Sequence, residues 1–251
     1  TGANSYVGVL GGYNVFSGTI TKSYATGNVS STGANSYVGG LAGYNVFSGT
    51  ITNSYATGNV SSTGTQSDVG GLVGYNGGGT ITKSYAMGNV SSTGANSDVG
   101  GLVAENDGSI ILSYWNTTTS GQTHGVAYNT SIGAPVGLTT TQLAAGLPTG
   151  FNASVWGNLN NQTTPYLLGV SANQQVLSGS NTVFGANAGT PVTAILNAAG
   201  LSAINANLAG NYGLATNIDA SSLGNTSPIG ENTPFTGIFY GAGNTIANLT
   251  I

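Results

Sequence analysis

Six acids, two lysines and one histidine are the side chains of this 251-residue chain that carry charge near neutral pH. They are Asp68, Asp98, Glu105, Asp107, Asp219 and Glu231, with Lys22, Lys83 and His124. Asp68 and Asp98 are the one pair whose placement suggests chemistry. They fall at the point of a repeat held earlier by Tyr6 and Tyr37, which puts them on neighbouring strands about 5 Å apart. Carboxylates that close could cleave a glycosidic bond as nucleophile and acid, or share a calcium ion. The plainer reading is two solvated charges on a neutral face. It is preferred because the chain has no arginine and neither lysine lies near the acids in the repeat register. Glu105-Asn106-Asp107-Gly108 is a short acidic turn without the ligand spacing of a calcium hand. His124 has no cysteine, second histidine or carboxylate in motif spacing and reads as a surface residue. No HExxH, no serine triad pattern and no phosphate loop is present. No residue is therefore assigned a catalytic, cofactor-binding or metal role. No enzyme is expected and no cofactor, calcium being the one ion the acids could take.

Composition narrows the function classes. Only 3% of residues are charged and the net charge is −4. Nucleic acid and anionic membrane surfaces need clustered lysine and arginine, so both are excluded as partners. The absence of cysteine excludes disulfides, thiolate zinc sites and thiol catalysis. Apolar residues make up 39% of the chain and recur in register, which argues for order despite the abundance of glycine, serine and asparagine. No apolar run is long enough for a transmembrane helix.

The elements that must position these residues come from repetition. TGANSYVGVLGGYNVFSGTITKSYATGNVSS, residues 1–31, returns from Thr32, Thr63 and Thr93, at intervals of 31, 31 and 30 residues. A period of this length without helix formers predicts a solenoid. Within one copy, Tyr37 to Tyr44, Thr50-Ile51-Thr52 and Val60-Ser61-Ser62 read as three short strands separated by glycine and asparagine turns. Stacked coils would place like on like. Tyr13, Tyr44 and Tyr75 would form one ladder, Tyr24, Tyr55 and Tyr85 a second, Ile20, Ile51 and Ile81 an aliphatic one, and Asn28, Asn59 and Asn89 an amide one. Lys22, Asn53 and Lys83 share the phase of the buried isoleucines, so a bend must turn them outward. The expected fold is all-β, a right-handed parallel β-helix with a less regular, non-repetitive segment.

Four regions follow: repeat coils over 1–114, a turn-rich segment with a short helix over 115–169, short strands over 170–204, and a solenoid segment over 205–251. The helix is expected near Thr140 to Ala145 with threonine caps. The runs QQVLSG, NTVFGA and PVTAIL are the strand candidates of the third region.

The blocks VGGLAGYN, VGGLVGYN and TITNSYATGNVS resemble the GLUG repeat of large exported bacterial proteins. These include filamentous-haemagglutinin-type adhesins and the N-terminal regions of some immunoglobulin A-cleaving metallopeptidases. SYWNTTTSGQT, GLTTTQL and SVWGNLNNQTTPYLL are similar to the segment that commonly follows such repeats. NYGLATNIDASS and SPIGENTPFTGIFYGAGNTIANLTI are similar to the one that precedes them. Joining Ile251 to Thr1 gives NTIANLTI-TGANSYVG, an unbroken passage, so the chain is expected to be one cassette of a longer tandem array.

The resemblance implies a structural or adhesive module of an exported protein at the bacterial cell surface or in an extracellular fibre. Its partners would be neighbouring cassettes or other copies, with host or environmental glycans or proteins beyond them. The alternatives are a polysaccharide-binding or polysaccharide-cleaving β-helix and an ice-binding solenoid. The last draws on the outward columns Thr19/Thr21, Thr50/Thr52 and Thr80/Thr82. Sequons at Asn28, Asn59, Asn89, Asn116, Asn129, Asn152, Asn161, Asn225 and Asn248 are candidate glycan acceptors in an exported protein.

Overall fold

The structure, a computed structural model, describes residues 1–131, 133–158, 163–168, 193–195, 197–214, 217–240 and 245–251. The first coil has five strands where three are expected: β1 (Tyr6–Gly8), β2 (Gly11–Asn14), β3 (Thr19–Thr21), β4 (Tyr24–Ala25) and β5 (Val29–Ser31). The stretch read as one strand, Tyr37 to Tyr44, is two, Tyr37–Gly39 and Ala42–Val46. The corner between them explains the glycines. A Cβ on Gly70 would land on the Val73 carbonyl oxygen, and one on Gly100 on that of Val103. Only a residue without a side chain lets the backbone fold back this closely.

Each strand of the first coil begins a parallel sheet, so the fold is a β-solenoid. The β1 sheet continues through Tyr37–Gly39, Asp68–Gly70 and Asp98–Gly100. The β2 sheet continues through Ala42–Val46, Val73–Gly77, Val103–Asn106 and Val126–Asn129. The β3 sheet adds Thr50–Thr52, Thr80–Thr82 and Ser109–Ile111. The β4 sheet adds Tyr55–Ala56, Tyr85–Ala86, Tyr114–Asn116 and Val136–Leu138. The β5 sheet adds Val60–Ser62 and Val90–Ser92. Parallel stacking thus runs past Tyr114 as far as Leu138.

The period of the sequence becomes register: Ile20 faces Ile51, which faces Ile81, which faces Ile110. The core is two columns. One holds Leu41, Leu72, Leu102, Ile51, Ile81 and their alanine and valine neighbours, closed by Trp115. The other is a valine column, Val29, Val38, Val60, Val69 and Val90. Lys22, Asn53 and Lys83 occupy the left-handed region, with φ of 46°, 50° and 50°. The bend that turns them out of the core is therefore at the residue itself.

Two tyrosine ladders form, on opposite terms. Tyr24, Tyr55 and Tyr85 stack with ring centroids 5.5 and 5.1 Å apart, and Tyr55 and Tyr85 are fully buried. Phe151 sits edge-on to Tyr114 at 5.5 Å, and the Tyr114 hydroxyl donates to the Thr149 carbonyl at 2.7 Å. The other ladder faces solvent and belongs to the site below.

The chain divides into two compact units, Thr1–Leu143 with Pro148–Val155, and Ala144–Leu147 with Trp156–Ile251. The expected helix is α1 (Thr140–Ala144). Its cap is reciprocal: Gln142 N–H donates to Thr139 Oγ1, and Thr139 N–H to Gln142 Oε1. In the second unit Trp156–Gly157 pairs antiparallel with Tyr166–Leu167. Thr193–Ile195, Tyr212–Leu214 and Phe239–Tyr240 form a parallel sheet, as do Ile218–Asp219 and Ile246–Ala247. The run PVTAIL supplies the first of these strands, while QQVLSG and NTVFGA lie outside the described residues. A second helix, α2 (Ala198–Ser202), follows where only strands are expected; Asn197 caps it by accepting from Gly200 N–H. Among the described residues no helix is long and apolar enough to cross a membrane.

Candidate functional site

The outer faces of the β1 and β2 sheets carry the residues whose chemistry the sequence singles out. One column reads Tyr6, Tyr37, Asp68, Asp98 and the next reads Tyr13, Tyr44, Tyr75, Glu105, Tyr128. The register expected for Asp68 and Asp98 is the one observed. Five tyrosine rings interlock across the two columns. Centroids are 4.0 Å apart for Tyr6 and Tyr13, 5.0 Å for Tyr6 and Tyr44, 5.0 Å for Tyr37 and Tyr44, 5.1 Å for Tyr44 and Tyr75, and 5.7 Å for Tyr37 and Tyr75. Tyr13 is 54% exposed, and the other four rings are half-buried. A hydrogen bond to Tyr6 raises the Tyr13 phenol to about 12, and burial raises Tyr37 to about 12.

Carboxylates take over where the tyrosines stop. Asp68 is half-buried, and that burial, with the charges of Glu105 and Asp98, lifts its pKa to about 7. Glu105 is raised by its own burial and then by Asp107 and Asp98. Asp107 moves the other way. Hydrogen bonds from the Thr130 hydroxyl and, at 2.7 Å, from the Tyr75 hydroxyl hold its carboxyl below the usual range. The acidic turn Glu105 to Gly108 therefore joins the Asp68–Asp98 pair, which its distance in sequence conceals. Among the described residues no three acids or histidines are disposed to hold one metal ion.

The remaining charged candidates lie elsewhere. Lys22 and Lys83 flank the β3 sheet, one residue after its Thr-Ile-Thr strands. His124 is exposed, its Nδ1 2.9 Å from Thr123 Oγ1, and its carbonyl accepts from Gly101 N–H. The threonine columns are in register over three coils, and Thr50 Oγ1 lies 3.2 Å from Thr19 Oγ1. In the fourth coil Ser109 and Ile111 replace them. A hollow of the second unit, about 300 Å³, is walled by Leu201, Leu223, Pro228, Ile229, Leu249 and Ile251, without a titratable side chain.

The amide ladder is not where it is expected. Asn28 and Asn59 use their Oδ1 atoms to accept the backbone N–H of Asn59 and Asn89, at 2.8 and 3.0 Å. The side-chain ladder is at Asn14, Asn45, Asn76, Asn106 and Asn129. Each Nδ2 donates to the Oδ1 of the next, at 2.7, 2.7, 2.7 and 2.9 Å. The signal was present in the recurring Tyr-Asn pair, but each asparagine read as the start of a turn. The sequon at Asn116 is inaccessible, since that side chain is buried and bonded to Thr140, Thr118 and Thr119. Asn161 lies outside the described residues.

Comparison with known families agrees with this geometry. The GLUG motif matches three times, over residues 3–30, 34–61 and 65–91. This stretch is a GLUG-repeat region. Each motif spans nearly one coil of the solenoid, and the coil from Thr93 continues four of the five sheets without a match of its own. No curated protein and no solved structure matches the chain.

Proposed function

We propose that the GLUG coils are a structural and adhesive module of an exported bacterial surface protein or extracellular fibre, built from tandem β-solenoid cassettes. The observation that carries this reading is the pairing of like residues from coil to coil in five sheets. Such stacking gives a stiff shaft whose outer faces repeat, so weak contacts add along its length. A face of tyrosine, threonine and amide groups with little charge suits the outside of a cell. The partners are then neighbouring cassettes and the glycans or proteins of the surface met. The role needs no catalysis and no cofactor.

A polypeptide carrying two copies of the chain in tandem tests this. Negative-stain electron microscopy is expected to show a rod longer than that of one copy, with a higher melting temperature. Two copies that melt as one does, tethered as separate beads, would overturn the tandem reading. A second reading, cleavage of a polysaccharide, draws on Asp68, whose raised pKa beside other carboxylates suits a general acid. Release of reducing sugar from a neutral polysaccharide, abolished in Asp68→Asn, would establish it.

A further inference from the structure

We infer that the strip formed by Tyr6, Tyr13, Tyr37, Tyr44 and Tyr75 is a binding surface for a neutral, extended polysaccharide lying along the solenoid axis.

The solenoid supplies its own control for what stacking requires. At the β1 position the third and fourth coils carry Asp68 and Asp98 with the same backbone register as Tyr6 and Tyr37. At the β2 position Glu105 does likewise for Tyr75. The coils therefore close without tyrosine, and the aromatic strip is extra to the fold. It is confined to coils one to three, one or two rings per coil.

The corner at the end of the β2 sheet repeats the lesson. Phe16 and Phe47 are 79% and 63% exposed and stack on each other at 5.4 Å. Both sit in the left-handed region, at φ of 49° and 50°, each followed by a serine there at 64° and 65°. That conformation is strained for a bulky residue. The third coil makes its corner one residue shorter, with Gly77, Gly78 and Gly79, and Gly78 takes φ of 69° without strain. Two coils thus hold phenylalanine in water and under strain at a corner that the third coil closes without it.

Sugar rings have apolar C–H faces and a rim of hydroxyls. Tyrosine meets both, with a rigid apolar body and a polar tip, at little cost in side-chain entropy. One ring station per coil suits a chain of sugars laid parallel to the axis. Asp68, Asp98 and Glu105 at the end of the strip accept hydrogen bonds from hydroxyls and repel sulfated or uronic acid sugars. No lysine stands in either column to reverse this preference. The inference rests on the adhesive half of the reading above and names its ligand class.

Affinity electrophoresis tests it, with the whole chain run in native gels containing hydroxyethyl cellulose, laminarin, galactomannan or pullulan, and separately chondroitin sulfate. At least one neutral polymer is expected to retard the chain, and chondroitin sulfate is not. The double variant Tyr13→Ala, Tyr44→Ala is expected to weaken retardation more than roughly tenfold, and Tyr13→Phe, Tyr44→Phe to keep most of it. Because the alanine variant could disturb stacking, Phe16→Ser with Phe47→Ser, outside the core, is run beside it and is also expected to weaken retardation. Retardation by none of the four neutral polymers, equal retardation by chondroitin sulfate, or tyrosine-dependent capture by gelatin in their place would overturn the proposal. Those outcomes leave rod length and melting in the tandem polypeptide untouched, so failure here is distinguishable from failure of the solenoid module.

Discussion

At the scale of single residues, two side chains dominate the expected behaviour. Asp68 has a folded pKa of about 7, above that of an unfolded aspartate. Below the unfolded pKa both states bind the proton and the group is neutral in effect. Between the two pKa values the folded state binds more proton, so stability falls as pH rises, and it levels off above pH 7. Glu105 is raised and adds to the same slope. Asp98, Glu105 and Tyr37 are the titratable groups facing Asp68. Thermal melts are expected to shift downward from about pH 5 to about pH 8, and Asp68→Asn to flatten most of that change. A wild-type profile that rises over this window would contradict the assignment. Asn76 is the second. It receives from Asn45 and donates to Asn106, at zero exposure. Asn76→Ala leaves the buried Asn45 amide donor without its acceptor, at about 1–3 kcal/mol, while Asn106 Oδ1 keeps the Gly108 N–H. Chemical denaturation should show a loss of at least about 1 kcal/mol.

At the scale of elements, the glycine corners and the strained aromatic corner pull in opposite directions. Gly70→Ala drives a Cβ onto the Val73 carbonyl, between two sheets that cannot separate without breaking the stack. It should destabilise by about 2 kcal/mol or more in urea titration. Phe47→Gly removes left-handed strain at an exposed site and should leave stability unchanged or raise it slightly. What could be read in the sequence follows the same division. Ladders of Ile20, Ile51 and Ile81 or Tyr24, Tyr55 and Tyr85 were legible because period alone dictates them. The number of strands was not, because the break at Gly40-Leu41 depends on how closely two backbones approach. The amide column was misplaced for a related reason. Asn28 and Asn14 both recur with the period, and only the inward turn of Asn14 decides which forms the ladder. Glu105 joined Asp68 only in three dimensions, since a neighbour one coil away lies about thirty residues off in sequence. Helix α2 escaped notice because Ala-Ala-Gly-Leu-Ser holds a glycine and offers one apolar turn; its cap, Asn197, was the usable signal.

At the scale of the whole GLUG region, each coil touches only its neighbours, so a coil behaves as a removable unit. Deletion of residues 32–62 joins Ser31 to Thr63 and recreates the junction already present between Ser31 and Thr32. The shortened chain should fold, with an unchanged circular dichroism shape and a lower melting temperature. Deletion of residues 32–46 removes two of five strands from one coil and should abolish cooperative unfolding. If the half-coil deletion melts as cooperatively as the whole-coil one, register is not what holds the stack.

The column Asn14 to Asn129 has one more consequence. All four of its bonds point the same way, amide nitrogen toward the oxygen of the later coil. Five side-chain dipoles are thereby aligned, and the shaft is a vector rather than a rod, with a donor pole and an acceptor pole. Head-to-head joining would set oxygen against oxygen, whereas head-to-tail joining extends the column by one more bond of the same sense. A fibre grown from such pieces would have two unlike ends.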